Sequence, residues 1–140
     1  MNTVAQLQDI RILLVDDAQE NQLLIGKTLE RFGAHVEFAN DGLEGVTKAI
    51  QGEYDVILMD ISMPVIDGFQ ATRHLRKVGF RKPIVACTSL EIIRDEDGLY
   101  GGEQFDDLIP KPVDMSALVR RLRRYLLLKF VRDSRLFDGV

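Results

Sequence analysis

Ile12-Leu13-Leu14-Val15-Asp16-Asp17 and Val56-Ile57-Leu58-Met59-Asp60 are two apolar runs that each close on carboxylate. Short apolar runs bounded by polar residues read as strands buried on both faces, the habit of a parallel sheet. The three acids then stand at the carboxyl ends of two strands, the edge where open α/β sheets bind ligands. Carboxylates converging there repel one another unless a cation or a raised pKa relieves them. The expectation is an acidic pocket ready for a metal.

Working outward, strand-like and helix-like patterns alternate five times. Ile12–Val15 leads to a helix over about residues 18–32, with Leu23, Leu24, Thr28 and Leu29 as its apolar face and Gly33 as its stop. Val36–Phe38 makes a short second strand, and Asn40-Asp41-Gly42 opens a helix to about Ile50 with Leu43, Val46 and Ile50 inward. Val56–Met59 is the third strand; a loop with Pro64 and Asp67-Gly68 precedes a helix to about Val78. Ile84–Cys87 is the fourth strand and Asp107–Ile109 the fifth, with Pro110 arguing for a sheet edge because proline cannot donate to a ladder. Between those two, Glu91-Ile92-Ile93-Arg94 can start a helix that Gly98, Gly101 and Gly102 shorten or distort. Asp114 reads as the N-cap of a last helix from Met115 to about Lys129, with Leu118, Val119, Leu122 and Leu126 toward the sheet. This (βα)5 order specifies one α/β domain over residues 10–128, a doubly wound, mostly parallel sheet with helices on both faces. Residues 1–9 form an N-terminal extension and 129–140 a C-terminal tail.

A chain of 140 residues is long enough for one real hydrophobic core. The single cysteine, Cys87, excludes an internal disulfide, and its place in an apolar run makes it a buried, inert thiol. No basic-then-apolar leader and no 18-residue apolar span occur, so the reading is a soluble, cytoplasmic protein without membrane insertion. Residues 1–114 carry 11 basic and 20 acidic side chains, net −9, whereas 115–140 carry 7 and 2, net +5. A basic last helix on an acidic body is too weak a basis for nucleic acid binding.

Four sets of residues fall at carboxyl ends of strands: Asp16-Asp17, Asp60, Thr88-Ser89 and Lys111-Pro112. Oxygen donors of like charge suit a hard cation such as Mg²⁺, while lysine and threonine can hold a phosphoryl group.

The strings Leu14-Val15-Asp16-Asp17, Met59-Asp60, Met63-Pro64, Asp67-Gly68, Thr88-Ser89 and Lys111-Pro112, in this order, closely resemble the CheY-like receiver domain of two-component response regulators. Asn21 and Asp67-Gly68-Phe69-Gln70-Ala71-Thr72 look most like receivers attached to hybrid sensor histidine kinases. The resemblance implies a flavodoxin-like fold with strand order 2-1-3-4-5. It implies that Asp60 is the phosphoacceptor, attacking the phosphohistidine of a sensor kinase or phosphotransfer domain. Asp17, Asp60 and the backbone carbonyl of Ser62 would ligate Mg²⁺, with Asp16 acting through water. Lys111, in a cis bond to Pro112, would bind a phosphoryl oxygen, and Thr88 would turn its hydroxyl toward the phosphoryl group and carry the signal outward.

The sequence departs from that family pattern at three places. Leu108 stands where receivers usually carry an aromatic ring, Ser89 where alanine is common, and Gly98–Gly102 where a more regular helix is expected. Leu108 and the altered Gly98–Gly102 helix are the only support for one alternative, a pseudo-receiver that binds partners without phosphorylation. A phosphatase of the haloacid dehalogenase type also uses Asp, Mg²⁺, Thr and Lys, but it needs a second acid two residues after the nucleophile, and Ser62 occupies that position. His35 and His74 have no metal-ligand spacing and read as surface residues. Tyr125, Leu127, Leu128, Phe130 and Val131 spread apolar character around the last helix, to be covered by Leu136 and Phe137 of the tail or by a partner, with a homodimer as one expectation.

Overall fold

The computed structural model describes residues 6–89 and 105–138, with side chains described as far as Val131. Strands β1 (Arg11–Val15), β2 (His35–Ala39), β3 (Val56–Asp60), β4 (Ile84–Thr88) and β5 (Asp107–Pro110) pair in parallel in the order β2-β1-β3-β4-β5. Helices α1 (Gln19–Arg31), α2 (Gly42–Gln51), α3 (Gly68–Lys77) and α4 (Met115–Asp138) cover both faces. The expected fold class and strand order are what the chain adopts, and Pro110 lies on an edge strand.

Successive residues along a strand point to opposite faces, which sorts the core in two. Ile12, Leu14, Val56, Leu58, Val85 and Cys87 pack toward α1 and α4. Leu13, Val15, Ile57, Met59, Ile84 and Ala86 pack toward α2 and α3. Strands β1, β3 and β4 are thus buried on both sides, the reason their sequences are unbroken apolar runs. The helices start where their caps dictate. Asp41 accepts from the Glu44 amide, Asp67 forms a capping box with Gln70, and Asp114 accepts from the Ser116 and Ala117 amides.

Two helix faces differ from expectation. Leu23 and Leu24 are 58% and 66% exposed; α1 buries the expected Leu29 together with Gln22, Ile25 and Gly26. Leu43 and Ile50 of α2 also face solvent, while Gly42, Gly45, Val46 and Ala49 face the sheet. Both helices dock through small residues. A Cβ at Gly26 would stand 2.6 Å from the Phe38 ring, and one at Gly45 would stand 2.9 Å from the Val15 methyls. Close approach of backbone to sheet, rather than apolar periodicity, sets the rotation of these helices. The last helix keeps its expected face, with Leu118, Val119 and Leu122 buried and Leu126 packed beside them. It runs to Asp138 instead of stopping near Lys129, because no glycine or proline interrupts it before Gly139. The readings made on residues 90–104, and on the side chains of Leu136 and Phe137, lie outside the described residues.

Candidate functional site

The carboxyl ends of β1 and β3 are neighbours in the sheet, so Val15 pairs with Met59 and the acids that follow converge. Carboxylate oxygens of Asp16, Asp17 and Asp60 lie within 4.8 Å of one another. Asp16 and Asp60 are buried and Asp17 is exposed, which places Asp17 on the solvent side of the cluster. Such a set of hard, like-charged oxygens fits a divalent cation of the Mg²⁺ type.

Lys111 enters from β5. Its backbone amide donates to the Thr88 carbonyl at 2.9 Å, and its Nζ donates to Asp60 Oδ1 at 3.0 Å. The bond from Lys111 to Pro112 is cis, as expected. Burial raises the pKa of Asp60 above the usual carboxylate range; the hydrogen bond and charge of Lys111 pull it down, and Asp16 and Asp17 push it up again. Burial also disfavours the Lys111 ammonium, but the hydrogen bond and charge of Asp60, with Asp16 behind it, outweigh that and leave its pKa raised. Among the described residues, Lys111 is the cation that pairs with the cluster, through Asp60.

Thr88 closes β4, one residue beyond the Cys87 that pairs with Asp60. Its side chain is buried and its hydroxyl has no hydrogen-bond partner among the described residues. A buried hydroxyl without a partner is uncommon and calls for an acceptor. Ser62 follows two residues after Asp60 in the exposed start of the β3–α3 loop. Beneath the cluster, Cys87 is fully buried and its thiol is pushed up to about 12 by desolvation, which matches the inert role expected for it.

Asp16 is held by residues of which the sequence announced only one. Asp16 Oδ1 accepts from the Ala18 amide at 2.9 Å and Oδ2 from Asn21 Nδ2 at 3.3 Å. Gln22, which sequence reasoning missed, donates from Nε2 to the Asp16 carbonyl at 2.7 Å and to Asn40 Oδ1 at 2.9 Å. This buried amide stitches the loop after β1 to the loop after β2. The available signal was a polar residue one turn before Ile25 and Gly26 on the face that docks. A groove of about 170 Å³ opens beside Lys111, with Asn21, Leu24 and Ile25 on one wall and Lys111, Pro112 and Met115 on the other.

Comparison with known proteins agrees with this geometry. A sequence model of the response regulator receiver domain family matches residues 12–123. The transcriptional regulatory protein PcoR of Escherichia coli is 35% identical over 117 residues, 83% of this chain and 51% of that protein. Hybrid signal transduction histidine kinase G of Dictyostelium discoideum is 37% identical over 127 residues, 87% of this chain and 4% of that protein. The chain thus spans about half of the curated regulator and a small part of the hybrid kinase. The receiver domain of sensor histidine kinase PA1611 from Pseudomonas aeruginosa PAO1 superposes with a TM-score of 0.75 at 35% identity, covering 84% of this chain and 97% of that one. It was solved with a magnesium ion coordinated in its active-site cleft.

Proposed function

The chain belongs to the response regulator receiver domain family, which acts in signalling, and from that premise we propose that Asp60 is its phosphoacceptor. In this reading residues 10–128 form the receiver unit; Leu7 before it packs into the same core, and the last helix continues past it to Asp138. The observation that carries the reading is the contact of Lys111 Nζ with a buried Asp60 carboxylate inside a cluster of three acids.

A carboxylate oxygen of Asp60 attacks the phosphorus of a phosphohistidine in a kinase or phosphotransfer domain. The new bond is an acyl phosphate; the phosphorus–nitrogen bond breaks and its electron pair returns to the imidazole. Asp17, Asp60 and the Ser62 carbonyl would hold Mg²⁺, with Asp16 acting through water. When bound, that ion would offset charge on the transferred oxygens, so that one anion can approach another. Lys111 leaves its contact with Asp60 Oδ1 for a phosphoryl oxygen, as a point charge on a flexible stem. Thr88 supplies its unpartnered hydroxyl to the same group. Phosphorylation adds about −1.5 to −2 charges, the input for a shift between two conformations. The apolar groove of Leu24, Pro112 and Met115 beside Lys111 suits the flank of the donor protein, since the donor histidine must come within bonding distance of Asp60.

The test is labelling by acetyl phosphate, measured by intact mass with and without Mg²⁺. The expected result is one phosphoryl group per chain that needs Mg²⁺ and is absent from Asp60→Asn. An unlabelled parent chain, or a labelled Asp60→Asn, overturns the reading.

A further inference from the structure

Val65, in the loop between β3 and α3, combines two features that each work against the isolated molecule. Its φ is +72°, in the left-handed region where a β-branched side chain is least tolerated. Its side chain is also 81% exposed, more than that of any other large exposed hydrophobic residue among those described. Glycine or asparagine would hold the same backbone with less strain and would put no apolar surface in water.

The loop leaves Val65 no easy escape from this conformation. Met63 and Ile66 on either side pack against the α2–α3 face of the core. Asp67 accepts from the Gln70 amide at 2.9 Å while its own amide donates to Gln70 Oε1 at 2.9 Å, and the Gly68 amide donates to the Ile61 carbonyl at 2.9 Å. A strained residue persists where its surroundings over-determine it, and such residues cluster at functional sites. This one stands five positions after Asp60, on the loop that also carries Ser62. A rigid apolar knob on that loop loses little entropy when a partner closes on it.

We propose that Val65 is a contact residue for the protein that delivers the phosphoryl group, and that it contributes to the choice of that donor. The proposal rests on the reading of Asp60 as phosphoacceptor. Strain and exposure are kept because the donor protein covers the valine and excludes water from the transfer. A small phosphodonor has no surface to set on Val65, so the two kinds of donor respond differently to its replacement.

The experiment compares Val65→Gly and Val65→Asn with the parent chain using two donors. One is acetyl phosphate. The other is the histidine-phosphorylated phosphotransfer domain that labels the parent chain fastest within a panel of such domains. The expected result is at least a tenfold fall in transfer from the protein donor relative to acetyl phosphate, carried by KM rather than by the maximal rate, with a melting temperature at or above the parent's. An unchanged ratio in both variants overturns the contact while leaving Asp60 as acceptor. An equal loss with both donors overturns it as well, because Val65 would then act on the pocket itself. A parent chain that acetyl phosphate fails to label refutes the acceptor reading and the contact with it.

Discussion

The two edges of the sheet use the same side chain in opposite ways. At the amino edge each aspartate has its own partners. Asp55 accepts from the Arg11 amide at 2.8 Å and from Lys129 Nζ at 3.2 Å. Asp106 accepts from the Ile84 amide at 2.9 Å and from Arg76 Nη2 at 2.8 Å. At the carboxyl edge the oxygens of Asp16, Asp17 and Asp60 lie within 4.8 Å of one another, and among the described residues the ammonium that pairs with them is that of Lys111, at Asp60. Acids matched one to one with a cation fasten a strand end to a helix; acids that outnumber their cation leave charge that an incoming cation can neutralise. The ratio of acids to cations, more than the residue type, separates the two edges.

The largest effect that tests this contrast is at Asp60. Asp60→Asn is expected to cut labelling by acetyl phosphate by about a hundredfold or more while the melting temperature holds or rises, because one of three repelling charges is gone. A variant that both loses labelling and unfolds would put Asp60 among the structural acids. Asp55→Ala should do the reverse. It leaves a strand amide and a half-buried ammonium without their acceptor, a loss of about 2–3 kcal/mol in denaturant unfolding, and labelling of the folded protein persists. Mg²⁺ at ten to a hundred times its Kd should stabilise the parent by about 1–3 kcal/mol. Calorimetry should find that response gone in Asp17→Asn and intact in Asp55→Ala. The smallest effect is at the solvent-exposed pair of His35 and Asp9, 3.2 Å apart. His35→Gln is expected to change stability by less than about 0.5 kcal/mol, and a larger shift would show that the amino edge is tighter than its exposure implies.

How much of this was legible in the sequence follows from what each signal measures. Strands β1, β3 and β4 were readable because burial on both faces demands unbroken apolar runs, and the acids that end them mark the pocket. That Asp60, Thr88 and Lys111 come to one edge was readable because each stands where an apolar run ends. The faces of α1 and α2 were not. Counting large apolar residues favours Leu23, Leu24, Leu43 and Ile50, yet Gly26 and Gly45 dock against the sheet and turn those leucines and that isoleucine outward. Gln22 was hidden for the same reason, since a polar residue on a docking face looks like an interruption. Val65 was hidden more deeply, because nothing in a valine's identity reports a positive φ.

The bond from the Lys111 amide to the Thr88 carbonyl has a mechanical consequence. It couples the cation and the hydroxyl through their backbones, so neither main chain shifts far without the other. Signalling through this edge then has two routes, rotation of side chains about fixed backbones or displacement of both strand ends as one piece. Hydrogen exchange at the Lys111 amide tells them apart: slow exchange that survives phosphorylation means rotation, and faster exchange means the coupling has slipped.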